Sequence, residues 1–381
     1  MFHRPGTGDK AFVVALDFGR ADQAERLAEI SALATSAGAT VIGSVGGRRS
    51  RPDPAFFAGR GKVDEIAAQR RATGADLVIF DHTLSGVQQR NLEQAFECRV
   101  VDRVSLILDI FAQRARSAEG KLQVELAQLN HMATRLVGGW THLERQKGGI
   151  GLRGPGETQL ETDRRLITQR VKLLRERLRR VARSRATQNR ARRRAAVRTV
   201  ALVGYTNAGK STLFNRLTSA HVYVANQLFA TLDTTLRRVH ISGAENIVVS
   251  DTVGFIRDLP HDLVAAFRAT LAEAADADLL LHVVDAHAES RDEQIAAVDA
   301  LLTEIGAADV PQIRVLNKTD LSALPPGIER DPCGNIASVR VSAATGAGIP
   351  ELRAALAERF PVSPVPVSKN PDAPECSGES P

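Results

Sequence analysis

The sequence predicts an α/β protein in which a long helical hairpin separates two α/β domains. Short β-branched runs alternate with helical patterns near both ends of the chain, and two long heptad-like patterns lie between them. Such alternation is typical of largely parallel sheets, and heptad patterns of this kind are typical of paired helices. We expect four segments: a small α/β domain over 1–112, an antiparallel helical hairpin over 113–196, a second α/β domain over 197–361 and a disordered tail over 362–381.

Length, cysteine usage and hydropathy indicate a multidomain protein of a reducing compartment. The 381 residues exceed what one hydrophobic core usually organises, and the three cysteines share no metal-ligand or disulfide-like spacing. No apolar run is long enough to span a bilayer, and the N-terminus lacks a signal-peptide pattern. We therefore expect a cytoplasmic monomer without a membrane span, and peripheral contact with the membrane stays open.

The first segment is built from four strand patterns and an amphipathic helix. "AFVVALDF", "TVIGSV", "ADLVIFD" and "RVVD" are predicted strands, and a helical pattern runs from Asp22 to Ala37. The pattern ends near residue 112, where long helices take over.

Two rows of apolar residues predict the hairpin. Each row steps by four and three, as the seam of a heptad does. The rows are Leu122, Leu126, Leu129, Ala133 and Leu136, then Ile167, Val171, Leu174, Leu178 and Val181.

The second hairpin helix carries charge of almost one sign. Between Arg164 and Arg198 there are fifteen Lys/Arg residues and one acidic residue, Glu176. A solvated surface usually mixes signs into i,i+4 pairs, so this run favours a polyanionic partner, most simply RNA, over a merely solvated face. Arg175, Arg179 and Arg180 are our candidate contacts.

A glycine-rich stretch lies at the hairpin tip. "GGIGLRGPGETQLETDRR" resembles a phosphate loop but lacks a Lys-Ser/Thr pair, and Thr158 with Glu161 predicts the N-cap of the basic helix. We interpret the glycines as a narrow tip that could enter a confined RNA cavity, the alternative being a hinge. The tip residues that we expect to contact RNA are Gly151, Arg153, Gly154 and Gly156.

The second α/β domain contains a complete phosphate-binding motif. "GYTNAGKS", from Gly204 to Ser211, follows a predicted strand and opens a helix. The loop N–H groups can surround phosphates, Lys210 can reach the β and γ phosphates, and Ser211 can ligate Mg²⁺. Asn207 has two interpretations: it holds a monovalent cation such as K⁺ beside the phosphates, or its amide stabilises the loop.

Two later motifs supply a γ-phosphate sensor and a second magnesium ligand. In "VVSDTVG", Asp251 ends a strand where it can hold Mg²⁺ through water, and the Gly254 N–H can sense the γ-phosphate. In "NQLFATLDTTLRR", Thr231, Thr234 and Thr235 are alternatives for the second ligand, and spacing favours Thr231. Phe255 stands where many GTPases have a water-orienting Gln, so we expect slow intrinsic hydrolysis that depends on an outside contribution.

Base choice follows from "VLNKTD" and "VSAATG". Asp320 can accept both N–H donors of the guanine edge, Asn317 can meet the other edge and Lys318 can cover the ring. Adenine would leave the Asp320 carboxylate unpaired, which costs about 1–3 kcal/mol or more. The backbone N–H groups of Ser342 and Ala343 can donate to guanine O6. The combination predicts a P-loop GTPase domain that binds GTP and GDP.

Further characteristic runs accompany these motifs: "FFAGRGKVDEI", "FDHTLSGVQQRNLE", "VDRVSLILDIFAQRA", "LFATLDTTLRR" and "DTVGFIRDLPHDL". Together they resemble the bacterial HflX family of GTPases from the N-terminus to about residue 360. The resemblance implies binding to the 50S subunit and the 70S ribosome, splitting of stalled ribosomes under stress, and hydrolysis stimulated by the ribosome. It implies that Thr231 is the switch threonine that binds Mg²⁺, and that the catalytic residues are Lys210, Thr231 and Gly254. The expected GTP-binding residues are Gly204, Tyr205, Thr206, Asn207, Ala208, Gly209, Lys210, Ser211, Phe229, Ala230, Thr231, Leu232, Asp233, Asp251, Thr252, Val253, Gly254, Asn317, Lys318, Thr319, Asp320, Ser342, Ala343 and Ala344.

Two rival functions remain open at the level of the sequence. The GTPase could act in large-subunit assembly rather than in splitting, or it could be a GTP-gated RNA-binding protein with no dependence on ribosomes.

Overall fold

A computed structural model describes most of the chain. The described residues are 8–19, 23–139, 155–194, 197–218, 227–243, 247–258, 263, 271, 273–322 and 324–361. Within them the predicted fold class is confirmed: a small α/β domain and a long antiparallel hairpin precede a P-loop domain. The predicted tail over 362–381 lies outside the described residues.

The first domain is a parallel sheet with the strand order β2-β1-β3-β4. Its strands are β1 (Lys10–Asp17), β2 (Thr40–Arg48), β3 (Leu77–Phe80) and β4 (Arg99–Asp102), and its helices are α1 (Gln23–Ser36), α2 (Arg60–Thr73), α3 (Gly86–Phe96) and α4 (Arg103–Arg114). Alternate residues of β1 pack into two different hydrophobic cores. Phe12 and Val14 belong to one core, and Ala11 and Val13 belong to the other. Burial on both faces explains why β1 appears in the sequence as one continuous apolar run.

The hairpin consists of α5 (Ala118–Gly139) and α6 (Pro155–Arg194). Its antiparallel sense is visible in two ion pairs, Glu119 with Arg185 at 2.9 Å and Glu125 with Arg170 at 2.7 Å. The five predicted seam residues of α6 are buried or half-buried while their neighbours along the helix are exposed. At 1.5 Å per residue, the 40 residues of α6 give a helix about 60 Å long.

The predicted N-cap of α6 is wrong. The helix begins at Pro155, so Thr158 lies inside its first turn. A proline suits the first helical turn because its fixed φ is already helical and its missing N–H would have no partner there. Of the predicted tip contacts, Gly156 lies in this first turn, whereas Gly151, Arg153 and Gly154 lie outside the described residues.

The second α/β domain has a mostly parallel sheet with the strand order β10-β11-β9-β8-β5-β7-β6. The strands are β5 (Arg198–Val203), β6 (Thr235–Val239), β7 (Ile247–Asp251), β8 (Leu279–Asp285), β9 (Gln312–Asn317), β10 (Gly327–Arg330) and β11 (Ile336–Arg340), and the helices are α7 (Lys210–Thr218), α8 (Arg291–Glu304) and α9 (Ile349–Arg359). The edge strands β6 and β10 pair antiparallel with their neighbours.

This topology gathers the nucleotide motifs at one edge. The phosphate loop follows β5, "DTVG" follows β7 and "NKTD" follows β9, and these strands run parallel. The carboxyl ends of parallel strands lie along one edge, which is where α/β sheets bind ligands. Among the described helices, none is long and apolar enough to cross a membrane.

Candidate functional site

A cavity of about 230 Å³ lies at this edge of the sheet. Every nucleotide-binding motif identified in the sequence except the guanine-edge "SAA" contributes at least one residue to its wall. The lining residues are Thr206, Asn207, Gly209, Lys210, Ser211, Thr212, Gln227, Phe229, Ala230, Thr231, Thr252, Gly254 and Lys318. Of the expected GTP-binding residues that do not line it, Ala208, Asp251 and Val253 are buried behind the wall.

The phosphate loop is shaped around Lys210. Its ammonium group donates to the carbonyl oxygens of Gly204 at 3.0 Å and Tyr205 at 2.8 Å, and burial lowers the pKa of Lys210 to about 8. Gly209 has a φ of +91°, and a Cβ there would lie 2.2 Å from the Asn317 side-chain nitrogen. Only glycine therefore allows the loop to close against the base-binding motif.

Three side-chain oxygens meet beside the loop. Ser211 Oγ lies 2.7 Å from Asp251 Oδ2 and 2.8 Å from Thr231 Oγ1, and Thr231 Oγ1 lies 3.1 Å from the same carboxylate oxygen. Thr234 and Thr235, the other two candidates in the sequence, are not part of this set; Thr235 begins β6. Two hydroxyls and a carboxylate are the hard ligands that Mg²⁺ prefers.

The base-binding motifs are tied together by hydrogen bonds within the second domain. Asn317 donates from Nδ2 to the Ala208 carbonyl at 2.8 Å and accepts from the Ala343 N–H at 2.9 Å. Ser342 Oγ donates to Asp320 at 2.6 Å, and Lys318 pairs with Asp285 at 2.7 Å. The amide of Asn317, expected from the sequence to meet the base, thus has backbone partners and links the base-binding loop to the phosphate loop.

Two residues expected near the nucleotide point elsewhere. Leu232 is buried in the core, and the Asp233 carboxylate accepts hydrogen bonds from the N–H groups of Arg116 and Ser117, just before α5. Both follow Thr231 directly, so the chain turns away from the cavity immediately after that threonine.

A polar cluster between the two α/β domains was missed by sequence reasoning. The Tyr205 hydroxyl donates to Glu29 of α1 and accepts from the Arg257 N–H at 3.0 Å. Arg103 of α4 pairs with Glu29 and Asp81 and donates to the Arg257 carbonyl at 2.9 Å. Burial opposes the charge of Arg103, but the two carboxylates raise its pKa above the ordinary value. The first domain therefore holds both the phosphate loop and the segment after "DTVG".

Phe255, which replaces the water-orienting Gln, points into the hydrophobic core. Its ring is 2% exposed and belongs to the same core cluster as Tyr205 and Phe229. Its backbone pairs with the phosphate loop through the hydrogen bonds Thr206 N–H to Phe255 carbonyl (2.7 Å) and Phe255 N–H to Gly204 carbonyl (3.1 Å). The residue thus fixes the loop and places no polar group near the cavity.

The candidate RNA contacts on α6 are solvent-exposed. Arg175, Arg179 and Arg180 all lie outside the seam. Leu174, their neighbour in the sequence, is fully buried, which fixes the face of the helix that the three arginines occupy.

Three family models match consecutive parts of the chain. The GTP-binding GTPase N-terminal model matches residues 24–112, the GTP-binding GTPase Middle Region model matches 114–192, and the 50S ribosome-binding GTPase model matches 199–318.

The chain is also similar to curated bacterial proteins over most of its length. It is 57% identical to GTPase HflX of Escherichia coli over 361 residues, which cover 94% of this chain and 85% of that protein. It is 46% identical to GTPase HflX of Caldanaerobacter subterraneus over 348 residues, covering 91% and 80%. Among solved structures, a crystal structure of SsGBP with GDP has a TM-score of 0.51 at 23% identity and covers 92% of this chain and 98% of that one, which supports the fold.

Proposed function

Because the chain belongs to the HflX family of GTPases, we propose that it binds the 50S subunit and the 70S ribosome and dissociates stalled ribosomes under stress. GTP hydrolysis, stimulated by the ribosome, then releases the factor. The observation that carries the proposal is the combination, in one chain, of a GTPase cavity with a 40-residue basic helix on which Arg175, Arg179 and Arg180 are exposed.

The basic helix supplies the surface for ribosomal RNA. Exposed arginines release counterions when they neutralise phosphates, and this dominates the affinity of proteins for nucleic acid. The glycine-rich tip at the end of the hairpin is proposed to enter the ribosome, with Gly151, Arg153, Gly154 and Gly156 as contacts. The hairpin seam and its two ion pairs make this surface a stiff arm.

In the cavity, Lys210 and the loop N–H groups bind the phosphates, and Gly254 senses the γ-phosphate. Mg²⁺ would be held by Ser211 and Thr231, with Asp251 acting through water; the fit is supported by the three converging oxygens and by Asp251 Oδ1, which is buried without a hydrogen-bond partner among the described residues. When bound, Mg²⁺ neutralises charge that develops on the phosphates.

A monovalent cation is a further proposal. Asn207 lines the cavity and has a φ of +62°. K⁺ held beside its amide would add to the positive charge that Lys210 and Mg²⁺ bring to the phosphates. Turnover that is equal in KCl and NaCl would favour the loop-stabilising alternative.

Slow hydrolysis without the ribosome follows from Phe255. With this ring in the core, no amide from that position orients the attacking water, and the partner has to contribute what the chain lacks.

Sucrose-gradient profiles of purified 70S ribosomes test splitting. We expect GTP-dependent conversion of 70S particles to subunits by the wild-type chain, and none by a variant with Arg175, Arg179 and Arg180 changed to Glu. Intact 70S particles after incubation with the wild-type protein would favour the assembly rival. Equal stimulation of hydrolysis by naked ribosomal RNA and by intact ribosomes would favour the RNA-binding rival.

A further inference from the structure

The segment that carries Thr231 is anchored to parts of the chain outside the second α/β domain. On its upstream side, the Leu228 N–H donates to Ser36 Oγ of α1 at 2.9 Å. The Phe229 ring meets Phe111 of α4 edge-to-face, with 4.7 Å between ring centroids. These contacts tie the segment before Thr231 to α1 and α4.

Asp233 anchors the downstream side to the first hairpin helix. Its Oδ2 accepts from the backbone N–H groups of Arg116 at 2.8 Å and Ser117 at 2.7 Å, and its Oδ1 accepts from Ser117 Oγ at 2.5 Å. Ser117 Oγ in turn accepts from the Gly120 N–H at 2.8 Å. We call Arg116, Ser117, Gly120 and Asp233 the α5 dock.

The α5 dock satisfies a requirement of the helix as well as of the switch segment. The first turn of a helix has N–H groups without intrahelical partners, and its dipole favours a negative charge there. Here Ser117 Oγ caps the helix at the Gly120 N–H, and Asp233, 116 positions from Ser117 in the chain, adds a negative charge beside that cap. Moving the switch segment therefore removes this charge and the acceptor of the capping Ser117 hydroxyl, and tilting α5 pulls on the switch segment.

Gly120 makes the close approach possible. A Cβ on this residue would lie 2.3 Å from Asp233 Oδ1 and 3.0 Å from Ser117 Oγ, closer than real side chains allow. An alanine there would favour the helix by its intrinsic propensity and yet displace the carboxylate.

We propose that Asp233 is a positioning residue: through the α5 dock it holds Thr231 in its magnesium-binding place and couples the γ-phosphate to the hairpin. The proposal rests on the magnesium role proposed above for Thr231. Asp233 lies two residues from Thr231, whereas its partners in the α5 dock lie at the base of the hairpin that carries the proposed RNA-binding surface. Order in one is thereby coupled to order in the other.

The test compares the affinities of the full-length chain for a non-hydrolysable GTP analogue and for GDP, both with Mg²⁺. In Asp233→Ala and Gly120→Ala we expect analogue affinity to fall by about tenfold and GDP affinity to change by less than about twofold, since the γ-phosphate is what Thr231 senses through the metal. Asp233→Asn, which keeps one acceptor oxygen, should recover part of the loss. The exposed Asp292→Ala serves as control and should change neither affinity.

The outcomes separate this proposal from the previous one. Thr231→Ala should show the same selective loss, and Thr231→Ala with Asp233→Ala should lose no more than Thr231→Ala alone. If Thr231→Ala discriminates between the nucleotides and the dock variants do not, the dock proposal is overturned. If Thr231→Ala does not discriminate, the magnesium role is wrong and the dock has nothing to position. An equal loss of affinity for the GTP analogue and for GDP in Asp233→Ala would indicate general damage to the fold. Gly120→Ala, in which the new residue favours the helix, then decides: a selective loss of analogue affinity supports the dock proposal, and an equal loss of both affinities overturns it.

Discussion

The two ends of the nucleotide cavity are built differently. At the base end, Asn317, Asp320 and Ser342 are held by hydrogen bonds to neighbours in the same domain. At the phosphate end, Tyr205 is held by α1 and Asp233 by the start of α5.

The difference separates recognition from regulation. The residues proposed to read guanine have their described hydrogen-bond partners within the second domain, so we expect base selectivity to survive changes elsewhere in the protein. The phosphate end is completed by the first domain and the hairpin, so anything that moves those parts can act on it.

The largest effect is expected from a substitution at the base end of the cavity. In Asp320→Asn one acceptor becomes a donor and opposes a guanine N–H, so we expect GTP affinity to fall by about 100-fold or more. Xanthosine triphosphate, which carries a carbonyl in place of the guanine amine, should gain affinity instead. Equal loss of both nucleotides in a binding assay would show that Asp320 does not read the base.

The next effect breaks the connection between the domains. Arg103→Ala leaves Asp81 and Glu29 without the guanidinium, and we expect the free energy of unfolding to fall by about 3 kcal/mol. The ratio of GTP to ATP affinity should not change, since the base end lies in the other domain. Arg291→Ala, at a half-exposed arginine whose ion pair with Asp292 lies at the surface, is the control and should cost less than about 0.5 kcal/mol in denaturant unfolding. A changed nucleotide ratio in Arg103→Ala would contradict the independence of the base end.

The third change concerns the arm. Changing Arg175, Arg179 and Arg180 to Glu should weaken 50S binding by about tenfold and lower the slope of log K against log salt by about 2–3. Turnover without ribosomes should stay at the wild-type rate. Reversal of Arg51, Arg60 and Arg71, which are exposed on the first domain, is the matched control. The same salt slope in both triple variants would remove this face of α6 from the interface.

The last effect is a pH dependence within the second domain. Burial lowers the pKa of His282 to about 4, with help from Arg314 and Lys210, so between pH 6.5 and about 4 the unfolded chain binds a proton that the folded chain does not. Stability should therefore fall as the pH drops through this window, by up to about 1.4 kcal/mol per pH unit. His282→Gln should remove this slope from pH-dependent unfolding curves and the exposed His240→Gln should not; an unchanged slope in His282→Gln would show that His282 is already protonated in the fold.

Local motifs and periodicity carried most of the sequence-based prediction. The phosphate loop, "DTVG" and "NKTD" were found because each is a short run whose spacing is set by its own turn. The heptad rows gave the hairpin because the seam repeats along each helix. The strands β6 and β10 were missed: as edge strands they are short and partly exposed, so "TLRRV" and "GIER" carry little apolar signal.

Long-range contacts could not be predicted in this way. Nothing in the neighbourhood of Asp233 shows that its partner is Ser117, and Tyr205 gives no sign of Glu29. The N-cap at Thr158 was a reasonable pattern that an earlier proline overrode. Local sequence patterns therefore do not show which distant segments of the chain contact one another to form one site.

The central claim is that the phosphate end of the cavity depends on groups outside the second α/β domain, including those of the ribosome. Single-turnover GTP hydrolysis by the full chain tests it most directly. It is measured with the chain alone, with naked ribosomal RNA, with 50S subunits and with 70S ribosomes. We predict slow hydrolysis by the chain alone and with RNA, and stimulation of at least about tenfold by intact particles. Hydrolysis that is equally fast in all four conditions would contradict the account.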